Sequence, residues 1–185
     1  FLGAKQEFDA ADVWTKYKAW HDPKQMYMNF YETATDFGAT TKSLITTGKF
    51  DVTTQPSWGN GVIMRLAPVV LQYLFSEARV ALRMAAASGG MTAGDQSALD
   101  FTATMAYIMR GFIKGTLSKK TVCAPDFVRT KLGWYFEEFP FGMHFKKTIA
   151  AWLKPMPVGI GAEEFSSHVV FSRALFSFCT TDSFT

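Results

Sequence analysis

The sequence predicts an all-α fold, and three observations carry that prediction. Apolar residues recur at helical spacing in several stretches, and more than one of those stretches opens on a capping carboxylate. No run alternates apolar and polar residues strictly enough to make a half-buried strand. At 185 residues the chain suits one domain, 1–185, with a core of its own, and is short for two.

The elements follow in order. Asp9 reads as an N-cap with Asp12 in the first turn, where a carboxylate meets the positive end of the helix dipole. Val13, Trp14, Tyr17 and Trp20 then share a face until Asp22-Pro23 stops the run. Gly38 to Thr47 reads as a short helix closed by Gly48. From Val62 to Phe75 the chain is apolar, with Pro68 either kinking a helix or marking its start. Ser76 to Ala87 is a further helix, ended by Ser88-Gly89-Gly90, and Asp95 opens the clearest one, with Phe101, Met105, Ile108 and Phe112 on one face. Gly111 and Gly115 loosen its end. Thr116 to Gly161 is punctuated by Pro125, Pro140, Pro155 and Pro157, and no element is assigned there. Phe171, Ala174, Leu175 and Phe178 restore the helical pattern near the C-terminus.

Composition narrows the function classes. Hydrophobic content of 48% with 19% charge fits a folded globule, and a net charge of +3 is too mild to argue for nucleic acid. No apolar run reaches the ~18 residues of a membrane span, and the residues before Glu7 do not read as a signal peptide. The 18 Phe, 6 Tyr and 5 Trp are read first as core and second as interface. Cys123 and Cys179 have no Cys or His at ligand spacing, so reduced, buried thiols in a soluble, reducing compartment are expected. The basic stretch Arg110 to Lys131, with Lys114, Lys119, Lys120 and Arg129, reads as solvated surface ahead of a docking site.

Catalytic constellations are mostly missing. His21, His144 and His168 carry no nucleophile motif around them, so each reads as an ordinary residue. Glu137-Glu138 and Glu163-Glu164 are adjacent pairs, which on a helix point about 100° apart and do not converge on one cation. Asp36, Asp51, Asp95, Asp100 and Asp182 are scattered, and capping or solvated roles suffice for them. The stretch "QPSWGNGVIMRLAP" is different: Ser57, Gly59, Asn60 and Gly61 leave a bare backbone at a helix mouth, where N–H groups can approach a ligand closely. Ser57 and Asn60 suit a phosphate or a ribose hydroxyl, and Trp58 offers a flat face. From chemistry alone a tight turn before a buried helix, with Arg65 capping or pairing elsewhere, serves equally well.

A resemblance bears on that choice. "SWGNGVIMRLAPV" resembles the S-[YW]-G-N-G-x-x-M-R-[VIL]-[AS]-P signature of the ADP-ribosylglycohydrolase family. "ATDFGATTKSL" is similar to that family's D-[IF]-G-x-T-T-[RK]-x-[AS]-L segment, and "VWTKYKAWHD" before it to a Y-x-x-W helix. "MTAGDQSALDFTATMAYIMRGFIKG" and "SSHVVFSRALFSFCTTDSF" resemble two later segments, T-H-x-x-x-x-A-x-D and G-[YH]-V-V-x-x-x-x-A-L-[WF]-x-F-x-x-T-D-S-F. The resemblance implies an orthogonal all-α domain that cleaves the glycosidic bond between ADP-ribose and a protein or small acceptor with two Mg²⁺ ions. It places Ser57, Trp58, Gly59, Asn60 and Gly61 along the ADP-ribose, and Gly159 and Gly161 of "PVGIGAEEF" in a further ligand-side loop.

The departures weigh against catalysis. The family's metal ligands sit in T-D-D-T and G-G-D-[AT]-D-T, and neither motif occurs in this sequence, so the metal-binding helices at both ends of the fold are expected to be missing. The Thr-His pair is Thr92-Ala93 here. No catalytic residue and no metal ligand is therefore assigned, and Mg²⁺ is expected only if the acidic motifs flank this chain. The reading carried forward is a catalytically silent member recruited as a structural or interaction subunit, partnered by other proteins, with an ADP-ribose-type pocket retained. The family's inclusion of lens crystallins gives such recruitment a precedent. The alternative is a fragment of an active Mg-dependent ADP-ribosyl hydrolase.

Overall fold

The computed structural model describes residues 8–22, 38–48, 58–139, 141–152, 154 and 166–181. Among these the regular elements are all helices: α1 Ala10–His21, α2 Ala39–Thr47, α3 Gly61–Met64, α4 Leu66–Gln72, α5 Ala78–Gly90, α6 Gln96–Ile113, α7 Lys119–Val122, α8 Phe127–Phe136, α9 Met143–Ala150 and α10 Ser167–Thr180. No helix among the described residues is long and apolar enough to cross a membrane.

The caps fall where the sequence puts them. Asp9 accepts from the Asp12 N–H at 3.0 Å and Asp95 from the Ala98 N–H at 3.2 Å, each satisfying a donor that the helix start leaves unpaired. Gly48, at φ 66°, closes α2 in the left-handed conformation. Gly115 ends α6 in the same way: the Thr116 N–H bonds back to the Gly111 carbonyl at 2.8 Å and the Gly115 N–H to that of Phe112 at 3.0 Å.

The apolar run from Val62 breaks at Arg65 into α3 and α4, which settles the role of Pro68. It lies in the first turn of α4, where its missing N–H has no helical partner to lose. The expected stop at Ser88-Gly89-Gly90 is wrong, because α5 runs through all three residues. Gly89 faces α6 instead: a Cβ there would stand 3.3 Å from both Leu99 Cδ2 and Thr102 Oγ1, so this glycine permits close helix packing.

α6 is the central element. It packs on α5 along most of its length and also touches α3, α4, α9 and α10. Phe101, fully buried, sits 4.9 Å from the Phe145 ring of α9 and 5.2 Å from Phe171 of α10. Phe136 of α8 lies 5.2 Å from Phe145, the two rings tilted at 37°. Among the described residues the aromatics are thus absorbed largely as core, at geometries that ring quadrupoles favour. The stretch left unassigned between Thr116 and Gly161 contributes α7, α8 and α9, and with them the buried Val122, Phe127, Leu132, Phe136 and Phe145.

Two further expectations are corrected. Cys123 and Cys179 form a disulfide, with Cα atoms 5.6 Å apart, because the end of α7 meets the last turn of α10. They are half-buried cystine, not reduced buried thiols, so the inference of a reducing compartment loses its basis. Within the basic stretch, Arg110 is not solvated surface. It donates Nε to the Leu74 carbonyl at 2.9 Å and Nη2 to that of Ser76, holding the turn after α4.

Candidate functional site

The starts of three helices meet at the glycine-flanked loop. The Trp58 carbonyl accepts from the Ser167 N–H at 2.6 Å, and Gly59 bridges to Ser166 in antiparallel fashion, so the loop before α3 is tied to the start of α10. The Trp58 ring meets the His144 ring edge-on, at 4.9 Å and 80°, and His144 stacks on His168 at 5.1 Å and 27°. His144 is the second residue of α9 and His168 the second of α10. One indole and two imidazoles therefore line the place where α3, α9 and α10 begin.

These three helices start without a side-chain cap, at Asn60, Gly142 and Ser166. Donors at two of these starts are satisfied from other segments: the Gly142 and His144 N–H groups of α9 by Asp100 and Ser97, and the Ser167 N–H of α10 by the Trp58 carbonyl. Trp58 is 43% exposed, so its face remains open to a ligand, while Asn60 and Gly61 are half-buried.

Beneath the loop lies Arg65. Its guanidinium would stand 3.7 Å from a Cβ at Gly61, and it donates to the carbonyls of Ser88 (3.2 Å) and Gly89 (3.4 Å) and to the Thr92 hydroxyl. Its centre sits 5.9 Å from the Tyr17 ring of α1. Burial lowers the Arg65 pKa, and Tyr17 opposes that shift. Burial likewise raises the Tyr17 pKa, with Arg65 working against it. Arg65 thus ties α1, α5 and the loop together through a fork of donors that lysine cannot copy.

A second pair of anchors comes from α6. The Asp100 carboxylate, 1% exposed, accepts from the Gly142 N–H and from the Gln96 amide, both at 2.8 Å. Burial pushes its pKa up to about 6 although both hydrogen bonds pull it down; Asp95 adds to the rise and Lys146 opposes it. One turn earlier on α6, Ser97 Oγ accepts from the His144 N–H at 3.2 Å. A Cβ on Gly142 would overlap the Ser97 backbone, so α6 and the start of α9 are in direct main-chain contact.

Of the seven residues singled out by sequence, the structure brings Trp58, Gly59, Asn60 and Gly61 together, while Ser57, Gly159 and Gly161 lie outside the described residues. His144 and His168 were read as ordinary residues and instead stack on one another. The missing signal was long-range, because the two are 24 positions apart and only the α9–α10 packing joins them. Ala93, at the Thr-His position, is 2% exposed and packs with Val62 and Ala98 in a small apolar cluster.

The two Mg²⁺ ions that the resemblance implies find no ligand set among the described residues. No three His, Cys, Asp or Glu side chains there lie close enough to share an ion. Asp95 caps α6, Asp100 serves Gly142 and Gln96, and Glu138 pairs with Arg79 and Arg83. Asp36, Asp51, Glu163, Glu164 and Asp182 lie outside the described residues. The groups in view do not fit a divalent pair, and no chemical step is routed through one.

The profile of the ADP-ribosylglycohydrolase family matches residues 1–171. No curated protein and no solved structure matches the chain.

Proposed function

The chain belongs to the ADP-ribosylglycohydrolase family, and from that premise we propose that it binds an ADP-ribose-type ligand without hydrolysing it, within a larger protein assembly. One observation carries the reading: the exposed Trp58 ring meets His144, and His144 stacks on His168, where α3, α9 and α10 begin. The indole face stacks on the base or a sugar, the bare glycine-flanked backbone receives the diphosphate, and Asn60 meets ribose hydroxyls. Support for silence comes from Ala93, which fills with a methyl group a sealed apolar site where the resemblance has a histidine.

Adding ADP-ribose in the presence of a chelator is expected to shift the ring-proton NMR signals of His144 and His168. Unchanged signals at millimolar ligand would remove the pocket reading. Release of ADP-ribose from a modified protein by this polypeptide would overturn the silence.

The interaction role is favoured by a separate feature. A half-open apolar cavity of about 720 Å³ runs between α6 and α10, walled by Met105, Met109, Phe112 and Phe178 among others. Methionine-rich apolar clefts adapt well to partner side chains. Met109→Glu is expected to abolish partner binding while leaving the ADP-ribose response intact. Loss of both together would argue against a separate interaction face.

A further inference from the structure

We infer that Asp100 is a positioning residue of the candidate site: through Gly142 it fixes the start of α9, and so sets the His144 ring against Trp58 and His168. The inference rests on the reading of that cluster as a ligand pocket. Two anchors on one face of α6 hold two successive parts of the α9 start. Asp100 Oδ2 takes the Gly142 N–H at 2.8 Å, and Ser97 Oγ, three residues earlier, takes the His144 N–H at 3.2 Å. Gly142 lacks the Cβ that would strike Ser97, so the two backbones close up and leave the α9 start little room to rotate. Since His144 is the second residue of α9, a hinge at Gly142 moves the imidazole directly.

A carboxylate suits this role better than a neutral acceptor. Each oxygen of Asp100 already receives an N–H, one from Gly142 and one from Gln96, and bonds to a charged acceptor are about twice as strong as neutral ones. The groups facing the carboxylate are Gln96 and Asp95 from the start of α6, Lys146 from α9 and Tyr135 from α8. Asp95 disfavours its ionised form and Lys146 favours it.

The test measures amide exchange at Gly142 and His144, together with ADP-ribose affinity, in wild type, Asp100→Asn and Asp100→Ala. Asn retains the shape and one acceptor oxygen and removes the buried charge, so this variant keeps the fold even if the alanine variant does not. Gly142 protection is expected to fall about 10- to 100-fold in Asp100→Ala, the range for losing a hydrogen bond to a charged group, and by less in Asp100→Asn. Affinity is expected to follow the same order. The wild-type to Asp100→Asn affinity ratio should also shrink toward one as pH falls through about 6, where Asp100 takes up its proton. At a pH well above 6, ADP-ribose binding to Asp100→Ala or Asp100→Asn as tightly as to wild type overturns the inference while the pocket reading stands. If wild type binds no ADP-ribose yet Gly142 protection still depends on Asp100, the pocket reading falls and the anchoring of α9 is upheld.

Discussion

Reducing the Cys123–Cys179 bridge, or replacing both residues by serine, is expected to lower the unfolding free energy by about 4 kcal/mol. The bridge closes a sequence separation of 56 residues. Loop-closure entropy in the unfolded chain is worth about 3 kcal/mol for a 15-residue loop and about 4.7 kcal/mol for a 100-residue loop, and this span falls between them. The folded state keeps its own ties between the joined parts. Lys119 donates to the Thr181 carbonyl and lies 5.7 Å from the Phe178 ring, and the Trp152 indole donates to the Val122 carbonyl at 3.1 Å. The loss therefore falls on the unfolded state, and the reduced protein remains folded but less stable. Urea unfolding followed by tryptophan fluorescence, with and without reductant, reads this as a fall of about 2 M in midpoint for a slope near 2 kcal/mol per molar. Coincident midpoints, or two free thiols titrated in the untreated folded protein, would refute the reasoning.

Further outcomes follow from single residues. The folded pKa of Asp100, about 6, lies above the unfolded value of 3.8, so its contribution to stability is fully present below about pH 4 and is lost as pH rises through about 6. Stability relative to Asp100→Asn should thus decline by up to about 3 kcal/mol between pH 4 and 7, and parallel pH profiles for the two proteins would contradict this. Gly142→Ala drives a methyl group into the Ser97 backbone and should cost about 1–3 kcal/mol, read by thermal unfolding. Ala93→His restores the family's histidine but crowds Val62 and Ala98; it should destabilise by about 1–3 kcal/mol and yield no release of ADP-ribose in a hydrolysis assay.

Local chemistry made much of the fold legible before any coordinates. Asp9, Gly48, Asp95 and Gly115 act through their own neighbours, and the sequence shows those neighbours directly. What stayed hidden depends on contacts between distant segments. Gly89 looked like a helix stop because its partner, Thr102, belongs to the next helix. α7 to α9 were obscured by the prolines around them, although tertiary burial of Phe127, Leu132 and Phe145 is what stabilises such short helices. The cysteines looked unpaired at a separation of 56, which the fold reduces to 5.6 Å between Cα atoms. At the site, the glycine-flanked loop was visible as sequence. Its histidine neighbours and the Asp100 anchor appear only once α6, α9 and α10 are packed together.

The most direct test of the central claim is calorimetric titration of ADP-ribose in the presence of a chelator, run in parallel on the wild type and Trp58→Ala. The account predicts metal-independent binding in the micromolar range that weakens about 5- to 150-fold in the variant, as expected for the loss of an aromatic stacking partner worth about 1–3 kcal/mol. Heat that appears only when Mg²⁺ is supplied, or an affinity indifferent to Trp58, would contradict it.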